Sequence, residues 1–300
     1  MRFHQQGLSF AEQAEQLIER GLAAERGELE RTLSVVNYYR LSAYWHTFLK
    51  DGSKEFKANA SFSWIWKTYV FDRQLRLLVM DALERVEIAL LRTRLVEHHV
   101  RKYGPYGYRD PRNFSPKLQT ETHDRLLKEI DQATRRSKEE FVEGFFQEFD
   151  EERSLPLWMA AEVTTFGTLF TLFRNLHRKE LIWLARQIKL DGKVLSSWLH
   201  SFNYVRNLCA HHGRLWNREL AIKPLVPKSA VFDSWKTEPL SNARVFYLLC
   251  ILRWLLQELA PQSNWPKRLE KLIEANERIP LAPMGMPENW KQHPAWSGER

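Results

Sequence analysis

Residues 203–218 read Asn-Tyr-Val-Arg-Asn-Leu-Cys-Ala-His-His-Gly-Arg-Leu-Trp-Asn-Arg. Within two helical turns they gather a permanent cation (Arg206), an amide (Asn207) and two adjacent imidazoles (His211, His212). No carboxylate lies between Arg206 and Arg218 to neutralise them. A guanidinium offers a planar fork of donors that matches phosphate oxygens, and histidine is the side chain that changes charge near neutral pH. These residue types together suit holding a phosphodiester and moving protons on it without a metal.

A helix turns about 100° per residue, so the segment can be laid out as faces. Trp198, Phe202, Val205, Cys209 and His212 follow offsets of four and three and form an apolar stripe. Asn203, Asn207 and His211 repeat at offsets of four on the other side, with Arg206 and Ala210 beside them and Arg214 in line if the helix continues. The projection predicts that His211 works and His212 is a core residue. It also sets Arg206 and His211 about 140° apart, too far to touch on one straight helix. Either Gly213 ends the helix and reorients this turn, or a shared cleft or second chain brings the two together. A metal site would draw on Cys209, His211, His212, His98 and His99, but Cys209 sits on the buried stripe. Neither Cys-x-x-Cys nor His-Glu-x-x-His is present, so no metal and no cofactor is expected. A Cys209–His nucleophilic pair is set aside for the same reason.

The elements that must position this stretch are helical. Glycine is scarce at 12 of 300 residues, long segments are rich in Leu, Ala, Glu, Arg and Gln, and no alternating hairpin pattern occurs. Helices are expected near 9–26 and 28–39, then over 62–103, the longest pattern. In that segment Phe71, Leu75, Leu78, Ala82 and Ala89 form one stripe, and charges such as Asp72 and Arg76 form a solvated or cleft-lining face. Further helices are expected over 116–134, 138–149, 155–173 with a break near Phe166-Gly167-Thr168, 178–189, 193–212, 241–259 and 266–278. The tail from Pro280 carries four prolines and two tryptophans and reads as irregular.

The formal charge of +8 favours a polyanionic partner only weakly. Two cysteines imply no disulfide framework. The N-terminus lacks the apolar run of a signal peptide, and no apolar stretch approaches the ~20 residues of a membrane span, so a cytoplasmic location without membrane contact is expected. The residues alone leave three readings of the Arg/His cluster open: an enzyme, a non-catalytic RNA grip, or an internal hydrogen-bonded network.

The motif Arg206-Asn207-x-Cys209-Ala210-His211-His212-x-Arg214-x-Trp216-Asn217 resembles the signature of the Abi-like (AbiD/AbiF-type) abortive-infection proteins of the HEPN superfamily. Four other ordered blocks resemble the same family: Asn37 to Trp45, Phe71 to Leu90, Leu155 to Met159, and Met284 to Trp290. The resemblance implies an all-α helical bundle with a HEPN-like core over 61–279, an N-terminal helical extension over 1–60 and the irregular tail over 280–300. It implies a metal-independent endoribonuclease, often dimeric, in phage defence or as a toxin, with some relatives restrained by a small non-coding RNA; a protein antitoxin is the other candidate partner. Carried over, Arg206 and His211 are the catalytic pair with Asn207 beside them, and His212 and Arg214 are secondary candidates. Arg40, Arg73, Arg76, Arg214 and Arg218 are expected to contact RNA. Some HEPN toxins carry a Tyr two residues after the His. Here that position is Gly213, so control by modifying such a Tyr is not expected.

Overall fold

A computed structural model describes residues 7–298. Among them the regular structure is helical, and the only β pairing is two isolated bridges, Ala23 with Ser61 and Leu49 with Phe56. In chain order the helices are α1 (Phe10–Glu19), α2 (Arg26–Val36), α3 (Tyr38–Trp45), α4 (Phe62–Val86), α5 (Val96–Tyr103), α6 (Thr120–Arg136), α7 (Glu140–Glu148) and α8 (Leu157–Val163). They continue with α9 (Phe166–Arg174), α10 (Arg178–Arg186), α11 (Gly192–Ala210), α12 (Ser234–Thr237), α13 (Val245–Leu259), α14 (Trp265–Glu274) and α15 (Pro294–Ser297). None is long and apolar enough to cross a membrane.

The centre is built where the sequence is most apolar. From Val245 to Leu252 every residue of α13 is buried, as befits a helix apolar on all sides, and α13 packs on α4. α4 also contacts α3, α11 and α14, so it forms a spine behind the motif helix. The Trp265 indole N–H donates to the Leu78 carbonyl at 2.7 Å, satisfying its one donor inside the core. The tail residues Met284, Trp290 and Trp296 are buried, with Trp296 5.4 Å from Trp290 ring to ring.

The expected stripe on α4 holds through Ala82 and then shifts. Residues Glu87–Leu95 form a π-helix that continues the rod between α4 and α5. Its wider turn moves burial from Ala89, which is half-buried, to Leu90 and Leu91. Arg92 holds this segment by pairing with Glu87 at 2.6 Å and donating to the Ala161 and Thr164 carbonyls. Two helix boundaries differ from expectation for local reasons. Ser115 is tied by its N–H to the Asn175 carbonyl at 2.8 Å, so α6 starts later, at Thr120. The break between α8 and α9 falls at Thr164 and Thr165, where the Thr165 hydroxyl caps α9 by accepting the Thr168 N–H at 3.2 Å.

Candidate functional site: a cationic cleft between α3 and the end of α11

One wall of the site is α3. Asn37 ends α2 in a left-handed conformation (φ 71°) and its side-chain oxygen accepts the Tyr39 N–H at 2.9 Å, which starts α3 in a new direction. Leu41, Tyr44 and Trp45 point into the core. Tyr39, Arg40, Ser42, Ala43 and His46 line an open cleft of about 820 Å³.

The other wall is the turn after α11. The apolar stripe of Trp198, Phe202, Val205 and Cys209 is buried as expected, but the helix stops at Ala210. His211 is its C-cap, and the next two amides close the end. The His212 N–H reaches the Cys209 carbonyl at 3.0 Å and the Gly213 N–H reaches the Leu208 carbonyl at 2.8 Å, the bond pattern of a Schellman motif. That motif requires a left-handed residue right after the cap. Here it is His212, at φ 58°, with the glycine one place later.

This overturns the expectation that His212 is a core residue. Helical projection ceases to apply after Ala210, and both His211 and His212 are exposed and line the cleft, together with Gly213, Arg214 and Arg218. A β-carbon residue in the left-handed region costs about 1–2 kcal/mol relative to glycine, so a histidine held there suggests that its imidazole has a use.

Behind the two walls stands a carboxylate that the sequence did not single out. Asp72 of α4 is fully buried. It accepts the Tyr44 hydroxyl at 2.5 Å, the Leu215 N–H at 3.0 Å and the Trp216 N–H at 2.5 Å, and it pairs with Arg76. One side chain thus fastens α3 and the motif turn to α4. Arg76, expected to contact RNA, is instead buried in this pair and donates to the Tyr44 hydroxyl at 3.1 Å. The i,i+4 spacing of Asp72 and Arg76 is readable in the sequence, but the pair is a core element and not a solvated one. Burial first, and then the Asp72 charge, push the Tyr44 hydroxyl pKa up, so it remains a donor.

The walls are also laced directly. Arg40 donates to the His212 carbonyl at 3.0 Å, Arg214 donates to the Ala43 carbonyl, and Arg218 donates to the Arg214 carbonyl at 2.7 Å. Burial, then the neighbouring Arg218, lowers the Arg214 pKa from the usual arginine value. Among the described residues no carboxylate lines the cleft. Burial pushes the Cys209 thiol up to about 12, so it stays protonated at neutral pH and is a poor nucleophile. Among the described residues no group of three or more His, Cys, Asp or Glu side chains is placed to hold a metal.

The remaining expected site residues lie elsewhere. Arg206 is half-buried on α11, its only polar side-chain contact among the described residues a long one of 3.5 Å to the Asn207 side-chain oxygen, and Asn207 is exposed. Neither lines the cleft. Arg73 is exposed on α4 and does not line it either. The structure therefore joins His211, His212, Arg40, Arg214 and Arg218, and leaves Arg206, Asn207 and Arg73 outside. It adds His46 and Tyr39, which the sequence reading passed over. Their signal was present: Tyr39, Ser42 and His46 follow offsets of three and four and mark a polar face opposite Leu41 and Trp45.

A sequence profile described as Abi-like protein matches residues 31–217. The chain belongs to the Abi-like family. No curated protein and no solved structure matches it. The Abi-like span begins within α2 and ends at Asn217, so it contains both walls of the cleft, the Asp72 anchor and every lining residue except Arg218. Helices α13 and α14 and the buried tail lie beyond it.

Proposed function

We propose that this Abi-like protein is a metal-independent endoribonuclease of the HEPN type, acting in abortive infection or as a toxin. The observation that carries the reading is the cleft itself. Among the described residues it holds three imidazoles (His46, His211, His212), three guanidinium-bearing residues (Arg40, Arg214, Arg218) and no carboxylate. Such a cleft favours a phosphodiester over a neutral or cationic substrate. Tyr39 adds a ring 81% exposed at the same site, suited to stacking an unpaired base.

In the reaction one imidazole takes the proton of an RNA 2′-OH, and the oxygen attacks the adjacent phosphorus. The P–O5′ bond breaks and a protonated imidazole gives its proton to the leaving 5′ oxygen. The products are a 2′,3′-cyclic phosphate and a 5′-OH. An imidazole can both take up and give up a proton, which suits both transfers. Arg40, Arg214 and Arg218 hold the phosphate and offset the charge that grows on its oxygens. With several imidazoles in one chain's cleft, an acid and a base are both at hand. A twofold dimer then serves to bring Arg206 and Asn207 of the motif to the substrate.

The position of Arg206 outside the cleft favours one rival, a module that grips RNA backbone without cutting it. The test is incubation of RNA with excess EDTA and the wild type, His46→Ala, Arg206→Ala, His211→Ala and His212→Ala proteins, with product ends read by mass spectrometry. Cleavage to cyclic phosphate ends that survives chelation and falls at least ~100-fold in His211→Ala is expected. RNA retained but never cut establishes the rival. Undiminished cutting by both the His211→Ala and His212→Ala proteins would remove the cleft as the active site.

A further inference from the structure

A second cleft, of about 690 Å³, lies along the N-terminal half of α11, from Gly192 to His200, roughly 16–28 Å along the helix from the motif turn. Arg174, Arg178 and Lys193 line it, and none of them forms an ion pair or a side-chain hydrogen bond among the described residues. Two of these cations sit where a helix disfavours positive charge. Arg178 is the first residue of α10, whose N-terminus has no side-chain cap, and Lys193 is the second residue of α11. The unsatisfied amides at a helix start carry partial positive charge, so each placement is locally unfavourable. Arg174 adds a third charge from the last turn of α9. The one carboxylate in the lining, Asp191, is occupied in capping α11, where it accepts the Lys193 N–H at 2.7 Å. The three side chains are exposed around one cleft, and their summed charge draws an anion to it.

The rest of the lining is of a different character. Leu181, Ile182 and Leu225 offer an apolar side, and the exposed His200 ring lies flat on Phe170 with centroids 5.6 Å apart and planes 15° apart. Ser197 accepts the Leu225 N–H at 2.9 Å, which leaves its own hydroxyl proton free to donate. A cationic end beside a flat, partly apolar face, in a volume typical of small-molecule sites, matches a phosphate joined to a planar heterocycle.

We propose that this cleft is a binding site for a nucleoside phosphate, distinct from the cleft at the motif turn. Arg174, Arg178 and Lys193 receive the phosphate, and the base lies against His200 and the apolar side. The phosphate can come from a free nucleotide or from the 5′ end of an RNA. The site stands whether or not the protein cuts RNA, because none of its residues belongs to the proposed active site.

Calorimetric titration of the whole protein with adenosine monophosphate, adenosine, inorganic phosphate and a 5′-phosphorylated oligoribonucleotide tests it. Adenosine monophosphate should bind one to one, at least 10-fold more tightly than either adenosine or phosphate. Arg178→Glu and Lys193→Glu should each weaken it at least 10-fold with the helical circular dichroism unchanged, while Arg73→Ala, outside both clefts, has no effect. Tighter binding of the oligoribonucleotide, lost in the same two variants, identifies an RNA end as the source; equal or weaker binding identifies the free nucleotide. No binding at millimolar nucleotide, equal binding of adenosine, or loss with Arg218→Ala but not with Arg178→Glu would overturn the proposal.

Discussion

Arg73 and Arg76 stand three residues apart on α4 and are spent differently: Arg73 is exposed, and Arg76 is held by the buried carboxylate of Asp72. Three positions along a helix turn a side chain by about 60°, and packing decides which of the two is inside. The two therefore respond differently to substitution. Arg73→Ala should leave urea unfolding unchanged within about 0.5 kcal/mol. Arg76→Ala strands a buried carboxylate and should cost about 3–5 kcal/mol. The paired histidines make the same point. Their chemistry was plain, but ranking them by helical face failed because neither lies within the helix. His212→Gly tests the strain: it should raise stability by about 1 kcal/mol, since glycine enters the left-handed region freely, and should lower RNA cleavage. A variant that is less stable than wild type would show that the imidazole is held by packing and is not strained.

At the scale of elements, the interior of each helix was readable and its ends were not. The stripe from Trp198 to Cys209 follows from spacing alone, while the stop at Ala210 depends on amides finding carbonyls in the turn below. Gly213 takes part in that stop for a steric reason. A β-carbon there would collide with Leu208 Cδ1 and sit 3.2 Å from the Leu208 carbonyl oxygen. Gly213→Ala should destabilise the protein by about 1–2 kcal/mol, and adding Leu208→Ala should recover part of the difference. Thermal unfolding of the two proteins reads this directly, and an additive result would exclude the steric account. The π segment was illegible for a related reason, because apolar periodicity assumes one helical pitch throughout.

At the scale of the whole molecule, the all-α architecture came from composition and spacing, and the assembly of the cleft from two distant segments did not. The fold also carries a pH dependence away from the site. His99 is fully buried between Tyr103 and Phe114, with ring centroids 4.9 and 5.4 Å away, and burial lowers its pKa to about 4. The unfolded chain takes up a proton at ~6.5, so this contribution to stability is complete above that pH. It is lost as pH falls from there to about 4, by up to about 3 kcal/mol. Unfolding free energies measured between pH 7 and 4 should flatten in a His99→Phe protein. The proposed grip of the cleft on RNA carries a salt dependence: Arg218→Ala should lower the slope of log affinity against log salt by about 1, the loss of one phosphate contact.

Asp72 joins Tyr44 of α3, Arg76 of α4 and the amides of Leu215 and Trp216 through one carboxylate. The width of the cleft and the order of the motif turn are consequently a single mechanical variable. The first sixty residues are then no detachable appendage, because cutting them away removes Tyr44 and empties one coordination position around a buried charge. A chain shortened to begin after residue 60 should show the Leu215 and Trp216 amides exchanging with deuterium far faster than in the full chain, although neither residue has been altered. Unchanged protection there would mean that α4 alone holds the turn.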